Sequence, residues 1–232
     1  MTDMTLFSSQ ASPYARKTRV VAEELGLSSR IRVVRAQPRS DVTFHSINPA
    51  RRIPALQLAN GTVLVDSRVI CEYFDHLAGG AKLFPTAGAI RWESITLQAL
   101  GDALCDWAVP LRNETLRPQA QQSSDFIERA HAAILGIVDS LFDRINACQK
   151  MTIGTFSVAC ALEYLDFRFP SNQPVGRSHL RTAPAVTSDN SQYRIPGIDW
   201  RIGHEQLASW LAEVSARPSM RITDPRLEQT PG

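Results

Sequence analysis

No stretch of this sequence approaches the ~18 to 20 consecutive apolar residues that a membrane-spanning helix needs. An extended basic stripe is missing too. Acidic and basic residues are interspersed at a net charge near +2, which disfavours nucleic acid or an acidic membrane surface as partner. The one dense basic stretch, Arg30 to Arg39, alternates with Ile31, Val33 and Val34 and reads as a strand edge. The start of the chain has Asp3 and no apolar leader segment, so no secretory signal is expected and a cytoplasmic location follows as the default. Cysteine is scarce: Cys71, Cys105, Cys148 and Cys160 lie far apart, with no CxxC, no His-rich companion and no metal-ligand spacing. They read as reduced core thiols, and no metal centre is expected.

What is present is an ordinary globular composition, 44% hydrophobic and 21% charged over 232 residues, enough for one large or two small domains with a real core. One stretch organises it: Asn48-Pro49-Ala50-Arg51-Arg52-Ile53-Pro54-Ala55-Leu56, followed by a hairpin that ends in Asp66-Ser67. An Ile-Pro step feeding directly into a strand predicts a cis peptide at Pro54. In that geometry Ile53 turns its backbone N–H and C=O to solvent, leaving two obligatory hydrogen-bonding groups for an extended, peptide-like ligand.

Before this stretch, Thr5 to Phe7 is a short apolar strand. Ser12-Pro13 then opens a helix with Tyr14, Thr18, Val21, Ala22 and Leu25 at helical spacing and Gly26 as its stop. Ile31 to Val34 reads as a second strand, which makes a right-handed βαβ unit. Asp41 to Asn48 reads as a short irregular helix. After Pro54, Asn60-Gly61 between two alternating runs signals a hairpin, and Ser67 to Leu77 is an amphipathic helix ended by Gly79-Gly80.

Beyond about Gly80 to Gly88 the pattern turns purely helical. Helices are expected from Ala89 to about Leu116, disturbed at Pro110, and from Ser124 to about Ala147, packed antiparallel on the first. A third, Ile153 to about Phe167, is apolar nearly all round and therefore buried. Residues 171–197 lose all periodicity and read as a polar surface loop, with a lid over a substrate pocket as the sharper alternative. A last helix, Glu205 to Ala216, precedes Arg217-Pro218, and 221–232 reads as a frayed tail. The fold class is α+β: residues 1–80 a βαβ-ββα domain, 81–88 a linker, and 89–220 an all-helical domain.

Ser12-Pro13-Tyr14 with Arg16 and Arg19, Asn48-Pro49 through Ile53-Pro54, Asp66-Ser67, Thr152 opening the buried helix, and Arg217-Pro218 occur in an order that resembles the cytosolic glutathione S-transferases, near the bacterial omega and zeta branches. The resemblance implies a thioredoxin-like first domain, a homodimer and glutathione as co-substrate. It implies that Ile53, beside cis-Pro54, pairs its backbone with the cysteinyl part of glutathione. Asp66 and Ser67 would hold the γ-glutamyl group, while Arg52, and less surely His45, would face the glycyl carboxylate. A thiol with pKa ~8.5 must be lowered by about two units to serve as a thiolate at neutral pH. The positive end of the first helix plus one hydroxyl nominates Ser12 for this, then Ser9, then Ser8, although Ser12 serves equally as a plain N-cap.

The omega pattern has cysteine where this chain has Ser12, which argues against mixed-disulfide chemistry; conjugation to a small hydrophobic electrophile, in the manner of detoxification, thiolysis of an activated carbon and isomerisation through a glutathione adduct all stay open. A catalytically silent binding or regulatory relative is the alternative. Asp102 and Asp106 are expected either as surface acids beside the core or as groups reaching a dimer partner's ligand. Two departures from the family stand out. The buried helix opens Thr152-Ile153-Gly154-Thr155, with threonine where an acid is usual and a glycine in the first turn; each is expected to cost about 1 kcal/mol. The second departure is the insertion at 171–197.

Overall fold

The computed structural model describes residues 3–147, 150–170, 182–184 and 196–227. Strand β1 (Met4–Ser8) leads into helix α1 (Pro13–Glu24), a single 3-10 turn over Ser28–Arg30, strand β2 (Ile31–Arg35) and the short helix α2 (Val42–Ile47). Strands β3 (Ala55–Leu58) and β4 (Val63–Leu64) form the hairpin, and helix α3 (Ser67–Leu77) closes the unit. The sheet order is β2-β1-β3-β4, with β1 parallel to β2 and antiparallel to β3. This is the thioredoxin-like βαβ-ββα arrangement. Around the hairpin Leu58 N–H bonds to Thr62 C=O, and Gly61 takes the positive φ of 84° that an L side chain would resist.

The helical region begins with α4 (Gly88–Thr115), which runs on through Pro110, and continues with α5 (Ser124–Ala147) and α6 (Ile153–Arg168). Strands β5 (Thr182–Pro184) and β6 (Pro196–Ile198) pair antiparallel. Apart from that ladder, the reading of 171–197 as a loop or a lid lies outside the described residues. Helices α7 (Glu205–Ser215) and α8 (Pro218–Ile222) complete the chain. The Arg144–Glu93 ion pair joins the end of α5 to the start of α4, and Trp107 meets Phe126 at the opposite ends. The two helices are therefore antiparallel, as their patterning predicts.

Helix α6 is the centre of the molecule. Every residue from Ile153 to Leu165 is buried. Two glycines let α4 lie against it: a Cβ on Gly154 would fall 2.4 Å from Ser94 O, and one on Gly101 would fall 2.7 Å from the Ser157 carbonyl carbon. Gly154 is thus no defect of the first turn, because close approach of the two backbones requires it. The expected cost of losing the acid is corrected as well. The Thr155 hydroxyl accepts from Thr152 N–H at 2.8 Å and donates to Thr152 C=O at 2.8 Å. A neutral hydroxyl does the backward half of the cap.

The reading of 221–232 as a frayed tail is corrected for its first part. Pro218–Ile222 is helical, Met220 and Thr223 are buried, and Asp224 pairs with Arg226. The cause is α1, whose buried Arg16 donates to Met220 C=O at 3.1 Å and to the Thr223 hydroxyl at 3.4 Å. Residues beyond 227 lie outside the described residues. Cys71, Cys105 and Cys160 are free and buried, with burial pushing the Cys71 thiol up to about 12 and Cys160 to about 11, so they are core thiols as expected. Cys148 lies outside the described residues. Among the described residues no helix is long and apolar enough to cross a membrane, and no cluster has metal-ligand composition.

Candidate active-site cleft

Ser12 has an extended backbone (φ −85°, ψ 121°) and caps α1, its Oγ accepting from Ala15 N–H at 3.3 Å. The cap role leaves the hydroxyl proton free to point elsewhere, so capping and donation to a ligand are compatible. Across from it, the Ile53–Pro54 peptide is cis. Ile53 belongs to no strand, and its N–H and C=O have no partner among the described residues. Ala55, two residues on, pairs with Phe7 and fixes this edge to β1. Asn48 holds the approach: its side chain donates to Arg52 C=O at 2.6 Å and accepts from Ala50 N–H at 3.0 Å.

These elements bound a cleft of about 930 Å³. Ser9, Ser12, Arg51, Arg52 and Ile53 line one side, with Arg35, Gln37 and Arg39 from the end of β2 and the loop after it. Asp106, Val109, Pro110 and Asn113 of α4 and Tyr164 of α6 form the other. Pro110 lacks an N–H, so the helix passes this wall with the Asp106 carbonyl relieved of its usual donor. Ser8 is buried behind the cleft, its hydroxyl without a partner among the described residues.

Of the residues nominated from sequence, Ser9, Ser12, Arg52 and Ile53 meet in this cleft, and Pro54 is buried directly behind Ile53. Asp66 and Ser67 stand outside that lining, at the head of α3. Asp66 caps the helix, its Oδ1 accepting from Arg68 N–H at 2.9 Å, and the Val65–Asp66 peptide is also cis. Partial burial opposes its ionisation, but the Arg68 guanidinium at 3.0 Å holds the carboxyl below its ordinary value. His45 does not line the cleft; its Nε2 sits 2.8 Å from Pro38 C=O.

Asp106 is exposed, as the reading of a surface acid beside the core expects, whereas Asp102 is corrected from that reading, being largely buried. Asp102 Oδ1 is 2.5 Å from the Nζ of Lys17, a lysine that is itself buried on α1. Burial raises the Asp102 pKa against the pull of that ammonium. Asp106 accepts a hydrogen bond from the Tyr14 hydroxyl. Burial first, then Cys105 and Asp106, raise the Tyr14 pKa strongly, so its phenol stays protonated and committed to the carboxylate. The Tyr14–Asp106 pair is a cleft feature that the sequence reading passed over. Its only sequence signal is the place of Tyr14 beside Ser12-Pro13.

A thioredoxin-like sheet carrying a cis-proline edge, joined to a helical region, defines the class. The family model for the glutathione S-transferase N-terminal domain matches residues 11–77. Among solved structures, a glutathione transferase family member from Pseudomonas fluorescens Pf-5 with bound glutathione superposes with a TM-score of 0.80. It is 35% identical and the match covers 96% of this chain and 98% of that one. The structure of such a family member from Pf-5 with bound S-(propanoic acid)-glutathione gives a TM-score of 0.76 at the same identity, covering 96% and 99%. The Escherichia coli K12 protein YibF, described as an uncharacterised GST-like protein, is 28% identical over 169 residues, 71% of this chain and 83% of its own length. The chain belongs to the glutathione S-transferase family.

Proposed function

We propose that this protein binds glutathione along the Ile53–Pro54 edge and activates its thiol for attack on a small electrophile. The observation that carries the reading is the meeting, in one cleft, of an unpaired Ile53 backbone and a serine at the start of α1. An extended peptide ligand satisfies both groups of Ile53, which places its sulfur toward the serine loop. There Ser12, with Ser9 as runner-up, donates to the thiolate, and the N-terminal dipole of α1 adds to it. Arg52 takes the glycyl carboxylate. At the head of α3 the γ-glutamyl group meets Asp66 and Ser67, and the helix N-terminus receives its carboxylate. The Asp66–Arg68 pair is more than half exposed on both sides, so it gives way to an ammonium at little cost.

The glutathione-bound relative at 35% identity supports the ligand, and the relative with S-(propanoic acid)-glutathione supports space beyond the sulfur for a substituent. In this reading residues 1–80 carry the glutathione side, and 89–220 supply the electrophile side and the dimer contact. Replacing Ser12 by Ala is the direct test. The thiolate absorbance of bound glutathione, titrated with pH, is expected to shift toward the free-thiol value of ~8.5 with a matching loss of aryl-halide conjugation at neutral pH. An unchanged titration removes Ser12 from the mechanism and moves attention to Ser9. Glutathione binding without any turnover in the unmodified protein indicates a silent binding relative instead.

The dimer has its own check. Val65, Val69, Ile90 and Trp92, on α3, just ahead of it and in the first turns of α4, are exposed apolar side chains. Sedimentation is expected to give twice the chain mass, and Trp92→Glu to give a monomer.

A further inference from the structure

The sequence reading expected an apolar pocket for the electrophile, yet the cleft is cationic. Arg35, Arg39, Arg51 and Arg52 all line it, and none has an ion partner among the described residues. The one acid in the lining, Asp106, is occupied by Tyr14. A chain with net charge of only +2 has therefore concentrated positive charge here. Glutathione accounts for one of these arginines through its glycyl carboxylate.

Just outside that lining, two more guanidiniums stand near the cleft-lining Tyr164. Arg112 precedes the cleft-lining Asn113, and Arg168 lies one helical turn after Tyr164, its guanidinium 6.0 Å from the Tyr164 ring centre and 4.1 Å from that of Phe167. Neither has a carboxylate partner among the described residues; the Arg168 guanidinium hydrogen-bonds to the Tyr164 phenol, and its Nε is buried with no partner among the described residues. Burial, and then the nearby Arg168, depress the Arg112 pKa. Two half-buried cations this near one another are eased when an anion joins them. Their planar, forked donors suit a carboxylate.

We propose that the electrophile taken by this cleft is a small carboxylic acid in its anionic form, and that Arg112 and Arg168 hold its carboxylate beside Tyr164. The assignment rests on the glutathione reading above and names the substrate class of that site. The four arginines on the opposite wall raise the local concentration of such an anion. The phenol of Tyr164, kept protonated by burial, adds a hydrogen-bond donor.

Calorimetric binding of two conjugates tests it without depending on turnover: S-(2-carboxyethyl)glutathione and the methyl ester of its S-substituent. The acid is expected to bind about tenfold tighter than the ester, the scale of one charge-assisted hydrogen bond. The preference is expected to shrink as salt is raised. In the Arg112→Gln/Arg168→Gln double variant the preference disappears while the affinity for glutathione itself persists, which also reports an intact fold. Equal affinities in the unmodified protein overturn the proposal, as does a preference that survives in the double variant. A preference erased instead by Arg35→Gln/Arg39→Gln places the carboxylate on the other wall and overturns the assignment to Arg112 and Arg168. Failure of the unmodified protein to bind glutathione or either conjugate sinks the underlying reading, a different outcome from binding both conjugates equally.

Discussion

A methyl group at position 154 has nowhere to go. It would meet a carbonyl oxygen of α4 at 2.4 Å and the Leu97 Cβ at 2.6 Å, and at position 101 it would meet three backbone atoms of α6 between 2.7 and 2.9 Å. Gly154→Ala and Gly101→Ala are each expected to destabilise the protein by about 1 to 3 kcal/mol through overpacking. Gly136 on α5 has nothing within 4 Å of a built Cβ, and Gly136→Ala is expected to stabilise by about 0.5 to 1 kcal/mol from helix propensity alone. Three urea titrations run side by side check the contrast in sign. The sequence marks all three as glycines in helical patterns with nothing to tell them apart, because what separates them is the distance to a second helix. Thr155 teaches the same lesson. Judged locally it is a weaker cap than an acid, but at a buried helix start a neutral hydroxyl avoids bringing an extra charge out of water.

Helices are where local chemistry spoke most clearly. Ser12 with Pro13, Asp66 before α3 and the apolar circumference of α6 marked those elements within a residue or two, since caps and periodicity are written in neighbouring side chains. The Ile53–Pro54 edge was equally legible, because X-Pro is the bond type that tolerates a cis peptide, whereas the cis Val65–Asp66 bond had no such signal. Contacts between elements were not. Lys17 and Asp102 look like two solvated charges in the sequence and prove to be partners across 85 positions. Helix α8 is hidden for a related reason: five residues have no period to read, and Arg16 and Glu24 of α1 hold them in place. The Glu24–Arg217 contact gives this element a pH signature. Although its partial burial works the other way, hydrogen bonds from Arg217 and Ser219 lower the Glu24 carboxyl below its ordinary 4.5. That contribution is fully present above about pH 4.5 and is lost as the pH falls through the lower folded value. Arg217 is 39% exposed, so the pair is worth only about 1 kcal/mol. Glu24→Gln is expected to lower the melting temperature by a few degrees at pH 7, and the difference is expected to shrink steadily as the pH is taken below 4.5.

At the scale of the whole molecule, α1 is shared property. Its inward face carries Arg16 and Lys17, both buried, and their counter-charges Glu163 and Asp102 come from α6 and α4. Removing one member of such a buried pair typically costs about 3 to 5 kcal/mol. A fragment of residues 1–80 loses both partners at once, so it is expected to lack cooperative unfolding by circular dichroism and to fail to bind glutathione, even though every residue of the Ile53–Pro54 edge is in it. The C-terminal hold on Arg16 carries this further, into the order in which a ribosome delivers the chain. Met220 and Thr223, which grip Arg16, are made more than 200 residues after it. Lys17 meets its carboxylate once α4 is made and Arg16 meets Glu163 once α6 is made, so the first helix is secured in stages and its last hold arrives with α8.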